Sequence, residues 1–248
     1  MAGCVVAEQD APVLEGDRLT CRATLGPHVG CTALEQQVLE LAPGGSAPRG
    51  AGEREEVLFV LSGRGELHLD GAEHPLEPES GAYLAPGETY GLHNSGDVPL
   101  RLVAVSIPDP APPGAATGER AVVRRLGDQA AEAATTQREF RIVADPASGL
   151  RSATHFVGYI PTVRAPDHMH CYDEVIYVLE GEGAMRMNGE TTPLRGGSCI
   201  HLPARTVHCL ENLGADVMKV VAVFRPAGSP AAAYYPDGTP AYASAPPE

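Results

Sequence analysis

Tryptophan is missing from this chain, and with only 4 Phe and 8 Tyr in 248 residues a pocket built on aromatic stacking has few side chains to draw on. That scarcity favours small, polar ligands. Lysine is nearly missing too: Lys219 is the single one, so the 18 basic residues are otherwise arginine, against 32 acids and a formal charge of −14. An acid excess of this size repels phosphate backbones and anionic headgroups, which argues against nucleic acid and membrane as partners. No apolar run reaches the roughly 18 residues that a membrane-spanning helix needs. The N-terminal Met1–Asp10 lacks the basic and sustained apolar segments of a secretory signal, so a cytoplasmic protein with reduced thiols is expected. Cys4, Cys21, Cys31, Cys171, Cys199 and Cys209 include no Cys-x-x-Cys pair, which removes zinc knuckles and thioredoxin-type redox motifs from consideration.

Turn-forming residues are plentiful instead. The 28 Gly and 23 Pro punctuate the chain too often for long helices and favour many short strands. The sequence also repeats itself. Adding 118 to a residue number superposes Pro43 on Pro161, Glu56-Val57 on Glu174-Val175, Gly63 on Gly181, Pro75-Leu76 on Pro193-Leu194, Asn94 on Asn212 and Val103-Ala104-Val105 on Val221-Ala222-Val223. A one-residue slip between them pairs Pro86 with Pro203 and Thr89 with Thr206. A register held this long marks a duplicated unit.

Between the copies lies a Pro/Gly/Ala segment, Pro108 to Gly118, that suits neither a central strand nor a helix interior. The expected organisation is an N-terminal unit over residues 1–110, a linker over 111–118 and a C-terminal unit over 119–248. Each unit carries apolar runs such as Glu56–Leu61 and Glu174–Leu179 separated by Gly-rich turns, the pattern of a β-sandwich or barrel. Helix is expected only in short pieces, as around Asp128–Thr135. The segment after Pro226 has little periodicity and is read either as draping over a neighbouring surface or, with the final Ser244–Glu248, as disordered.

The second copy contains His168-Met-His170-Cys-Tyr-Asp-Glu174, followed thirty-four residues after the Glu by His208. Alternate side chains of a strand share a face, so His168, His170, Tyr172 and Glu174 are expected to point together into the barrel. Neutral imidazoles and a carboxylate form a mixed N/O set suited to one divalent transition metal, Mn, Fe, Co, Ni, Cu or Zn.

At these residues the sequence resembles the cupin superfamily. The first cupin motif, Gly-x5-His-x-His-x3,4-Glu-x6-Gly, is matched by His168, His170, Glu174 and Gly181. The second, Gly-x5-Pro-x-Gly-x2-His-x3-Asn, is matched by Gly197, Pro203, His208 and Asn212. Two positions depart: Thr162 stands for the opening Gly, and Arg205 for the Gly after Pro203. Extended by the repeat, the resemblance implies an all-β bicupin of two tandem double-stranded β-helix (jelly-roll) barrels, with His168, His170, Glu174 and His208 as metal ligands. In the first copy Gly50 and Gly52 stand at the His168 and His170 positions, Tyr90 or Gly91 at the His208 position, and only Glu56 is kept. The first barrel is therefore expected to be metal-free and structural, pairing with the second barrel or forming a homodimer face.

Four further side chains are candidates for contact with a small-molecule substrate. Arg164 shares strand parity with the two histidines, and Arg205 precedes His208 by three residues at the expected pocket mouth; either guanidinium suits a carboxylate. Tyr172 could donate to a bound oxygen species, and His201 could serve in acid/base chemistry behind the ligands. A metal on four protein ligands keeps open positions, which favours catalysis. Among the activities that the resemblance permits, the leading expectation is a dioxygenase-type oxidoreductase acting on a small enol, diketone or hydroxylated aromatic. An isomerase or lyase of a keto or sugar acid, or a non-catalytic binding protein, are the alternatives.

Overall fold

The structure, a computed structural model, describes residues 3–241. Two seven-stranded antiparallel sheets carry it. One runs, in spatial order, through strands Val123–Arg125, Ser80–Leu84, Glu55–Ser62, Leu100–Ile107, Glu35–Leu41, Leu19–Leu25 and Val13–Glu15. The other runs through Cys4–Ala7, Ser198–Leu202, Asp173–Glu180, Met218–Arg225, Thr154–Ile160, Glu139–Ala144 and Glu132–Ala133. A smaller sheet closes each into a barrel: Thr89–Asn94 with Gly65–Leu69 and Ala72–Leu76 in the first half, and His208–Asn212 with Glu182–Met187 and Glu190–Arg195 in the second. The fold is the expected pair of tandem jelly-roll barrels.

Strand alternation divides the apolar residues into three cores. Leu58, Val60, Leu67, Leu92 and Ala104 fill the first barrel, and Ile176, Val178, Met185, Ile200, Leu210 and Phe224 the second. Their sequence neighbours point the other way, so Val57, Phe59, Val103 and Val105 meet Val157, Val175, Val221 and Val223 in a third core between the two large sheets. Strands buried on both faces explain the continuous apolar runs of the sequence. The repeated Gly63 and Gly181 hold matching turns at φ +83° and +95°, where a Cβ would come within 2.6 Å of Pro99 O and 2.8 Å of Met218 Cα. Only glycine fits both demands.

The boundary read at 111–118 does not coincide with sheet membership. Cys4–Ala7 pairs with Ser198–Leu202 in the second-half sheet, Val5 opposite Ile200, while Val123–Arg125 pairs with Ser80–Leu84 in the first-half sheet. Each half thus lends its leading strand to the other. The helix expected around Asp128–Thr135 is a single 3₁₀ turn, Leu126–Asp128, followed by the two-residue strand Glu132–Ala133. Part of the segment after Pro226 lies across its own barrel, with Tyr234 bridged to Met169; residues 244–248 fall outside the described residues.

Candidate metal centre

His168 and His208 face one another across an antiparallel bridge: the His168 N–H donates to His208 O at 3.0 Å and the His208 N–H to His168 O at 2.8 Å. Directly opposed residues project to the same face. His170, two residues on, turns its ring to the same point, with centroids 5.0 Å from His168 and 5.2 Å from His208. One ring nitrogen of each lies within 4.8 Å of the other two.

The orientation of the rings is fixed from behind. His168 Nδ1 lies 2.9 Å from Pro166 O, His170 Nδ1 2.8 Å from Ala232 O, and His208 Nδ1 2.9 Å from Thr206 O. A carbonyl only accepts, so each Nδ1 carries the proton and each Nε2 keeps its lone pair. Burial lowers the pKa of all three imidazoles, that of His170 to about 4, and their mutual repulsion adds to this for His170 and His208. Near neutral pH they are uncharged, as metal binding requires. The donor chemistry and tautomers fit a divalent transition metal.

Glu174 is the second residue of the strand Asp173–Glu180 and lines the same pocket, outside the 4.8 Å cluster of imidazoles. Burial pushes its carboxyl up to about 8, against the opposing pull of the Arg138 charge. Tyr172 is sandwiched between His170, at 4.7 Å, and Phe224, at 3.9 Å, and burial holds its phenol well above the usual range, so it stays protonated. The pocket encloses about 80 Å³, and Phe140, Phe156, Ile160, Ile176, Leu210 and Val220 make most of it apolar.

Sequence parity brings His168, His170, Tyr172, Glu174 and His208 to one pocket, although His168 to Tyr172 form no continuous strand. The other three expected residues are placed elsewhere. Arg164 is exposed in an irregular segment, where strand parity has no meaning, and pairs with Asp167 at 3.7 Å. Arg205 is exposed on the same outer groove as Arg164; its φ of +64° is the conformation glycine adopts freely at this motif position, and its N–H donates to His170 O at 2.7 Å. His201 is one residue out of phase: Leu202 opposes Glu174 on the inner face, so His201 opposes Val175 on the face toward the other barrel. Arg138 is the functional candidate that the motifs missed. It precedes the His168–Glu174 motif by thirty residues, and only the hairpin joining Glu132–Ala133 to Glu139–Ala144 carries it to the pocket.

In the first barrel, Arg49 opposes Tyr90, and Tyr90 opposes Leu69 as His208 opposes Met187. Register therefore settles on Tyr90 for the His208 position and on Arg49, rather than the expected Gly50, for the His168 position. Tyr90 Oη donates to Glu56 Oε2 at 2.9 Å, Arg49 Nε donates to Tyr90 Oη at 3.1 Å, and Arg49 reaches Glu56 at 3.9 Å. An arginine supplies the cation beside the retained carboxylate. A different group, Glu66, His68 and His93, gathers on the outer face of this barrel, with His93 Nδ1 3.0 Å from Glu66.

A family model described as "Cupin domain" matches the chain twice, over residues 37–106 and 155–224. Among solved structures, the putative glyoxylate-induced protein from Pseudomonas aeruginosa superposes with a TM-score of 0.76 at 21% identity, covering 90% of this chain and 87% of that one. Protein Ylba from E. coli gives 0.75 at 12% identity, with 90% of each chain covered. Lactobacillus farciminis oxalate decarboxylase in complex with formate gives 0.72 at 13% identity, with 90% and 86% covered. Curated relatives match over shorter stretches. An uncharacterized protein of Methanocaldococcus jannaschii is 35% identical over 49 residues, 20% of this chain and 39% of that protein. The polyketide synthase CurC of Streptomyces cyaneus is 34% identical over 62 residues, 25% of this chain and 40% of that protein.

Proposed function

The chain belongs to the cupin family through both of its halves, and on that footing we propose that the second barrel is a single-metal active site for a small oxygenated substrate, working as an oxidoreductase of the dioxygenase type. The observation that carries the metal is the set of three Nδ1–carbonyl contacts, which leave three Nε2 lone pairs converging in one buried pocket. His168, His170 and His208 would hold the ion, with Glu174 as the fourth ligand. When bound, such a metal supplies Lewis acidity and, for Fe, Mn, Ni or Cu, one-electron chemistry.

The chain's own residues do the remaining work. Phe140, Phe156, Ile176 and Leu210 exclude water around the reacting atoms. Tyr172, protonated and wedged between His170 and Phe224, can donate but not accept a proton near neutral pH. A second reading, an isomerase or lyase, has Glu174 off the metal: it stands outside the 4.8 Å imidazole cluster, and there a carboxyl raised to about 8 is suited to moving a proton at neutral pH.

Metal per chain, measured by elemental analysis on wild type and His170→Ala, tests the site. About one equivalent, lost in the variant, supports it; under about a tenth of an equivalent in wild type after incubation with these metals at a pH where imidazoles are neutral overturns it. Oxygen uptake against anaerobic turnover then separates the two reaction classes.

A further inference from the structure

Within the pocket that holds the three imidazoles, Arg138 is the one arginine or lysine side chain on the wall. It enters from the hairpin between Glu132–Ala133 and Glu139–Ala144 and is anchored there by one arm, Nη2 donating to Leu210 O. Its Nε–H is buried without any partner. Glu174 is near enough to feel its charge, yet the two form no ion pair within bonding distance. Glu139, next in sequence, also lines the wall but makes no ion pair with Arg138, and Thr135, Phe140 and Leu210 carry no charge.

Arg138 is half-buried, so its charge keeps part of its hydration; its Nε–H is sealed and left unmade, and an anion on the remaining amino groups of the fork would offset that cost. The donors of the fork match a carboxylate in a planar, two-point contact, which a hydroxyl or an amide cannot reproduce. The wall beyond the imidazoles and Arg138 is apolar and narrow. We propose that the substrate of this pocket is a small monocarboxylate with a short apolar body, its carboxylate seated on Arg138 and its oxygenated carbon turned toward His168, His170 and His208.

The inference rests on the proposed metal site for the second of these contacts, and on Arg138 alone for the first. Arg138 is then a specificity-determining residue. Arg164 and Arg205, which the sequence suggests for this role, lie on the outer groove with Asp167 and Arg186 and do not reach the pocket.

The test compares binding of 2-oxobutanoate with that of its neutral counterpart 2-oxobutanamide, by calorimetry on the full chain, loaded with Zn²⁺ and separately stripped with chelator. Wild type is expected to prefer the acid by roughly 10- to 100-fold, the range of hydrogen bonding to a charged group. Arg138→Met is expected to lose that preference while keeping its metal content and its Tm within a few degrees. Arg138→Lys keeps the charge without the fork and is expected to fall between, which guards against reading a folding defect in the Met variant as loss of recognition. Equal binding of acid and amide by wild type, or an undiminished preference in Arg138→Met, overturns the proposal and leaves Arg138 as a clamp on Leu210 O. If no metal is taken up but the acid still binds through Arg138, the carboxylate site stands and the metal reading fails.

Discussion

Arg49 lies opposite Tyr90 in the first barrel in the register in which His168 lies opposite His208 in the second. Both pairs flank a buried glutamate, Glu56 and Glu174. In one barrel the guanidinium and phenol satisfy the carboxylate internally; in the other, the imidazoles leave lone pairs that could hold a cation from outside. The first barrel's polar group is thus self-contained. Tyr90→Phe is expected to remove the bonds that join Arg49 and Glu56 to the phenol and to destabilise the protein by about 1–3 kcal/mol, with metal content unchanged. Chemical denaturation and elemental analysis of the same preparation check it.

Those two positions also show how far the sequence can be read. Ligand spacing brings His168, His170 and His208 to one pocket because His168 and His208 face each other across a bridge that the repeat preserves as Arg49 and Tyr90, with His170 close behind. Arg49 was hidden by a one-residue shift, since an offset in numbering cannot say which residue stands across a bridge. His201 was misread for the same kind of reason: its neighbour Leu202, not His201, shares a face with Glu174. Arg138 and Ala232 belong to no motif, and reach the site through a hairpin and a tail whose paths depend on tertiary packing. The exchange of Cys4–Ala7 and Val123–Arg125 was illegible because a repeat does not specify which copy a strand pairs with.

Metal binding has a second potential contributor in the Glu66, His68 and His93 group, so counts are best taken in a His93→Ala background. There, His208→Ala is expected to take the metal from about one equivalent to under about a tenth, because one of the three converging imidazoles is lost while the backbone bridge to His168 stays. Elemental analysis after gel filtration reads this directly.

The tail holds the His170 ring by one bond, His170 Nδ1 to Ala232 O at 2.8 Å, and adds Pro230 and Ala233 to the pocket wall beside the Tyr234–Met169 bridge. A chain ending at residue 228 leaves the His170 ring free to rotate and to take the other tautomer. Metal affinity is expected to drop by roughly 10- to 100-fold, the usual effect of losing such an orienting partner. Competition against a chromophoric chelator measures it, and retention of full affinity would show that the ring is oriented without the tail.

His155 lies wholly buried between the two large sheets, its Nδ1 unpartnered and its ring edge-on to Phe59 at 6.0 Å. Burial lowers its pKa from 6.5 to about 3. The folded state therefore resists a proton that the unfolded state accepts, so stability is full above pH 6.5 and is lost as pH falls toward 3. By pH 4.5 the loss from this residue is about 2–3 kcal/mol. His155→Leu is expected to flatten the fall in Tm between pH 7 and 4.5 relative to wild type; identical slopes would mean that the acid sensitivity arises elsewhere.

The reciprocal loan of leading strands also sets an order of events in time. Val5 is made well before its partner Ile200, with most of both barrels between them in the chain. The first-half sheet, likewise, receives its edge strand Val123–Arg125 only after the linker has emerged. The first-half sheet therefore lacks its edge strand during its own synthesis, whereas the second half finds its borrowed strand, Cys4–Ala7, already made and unpaired until then. Such long-range closure makes assembly slow and exposes sheet edges in the interval.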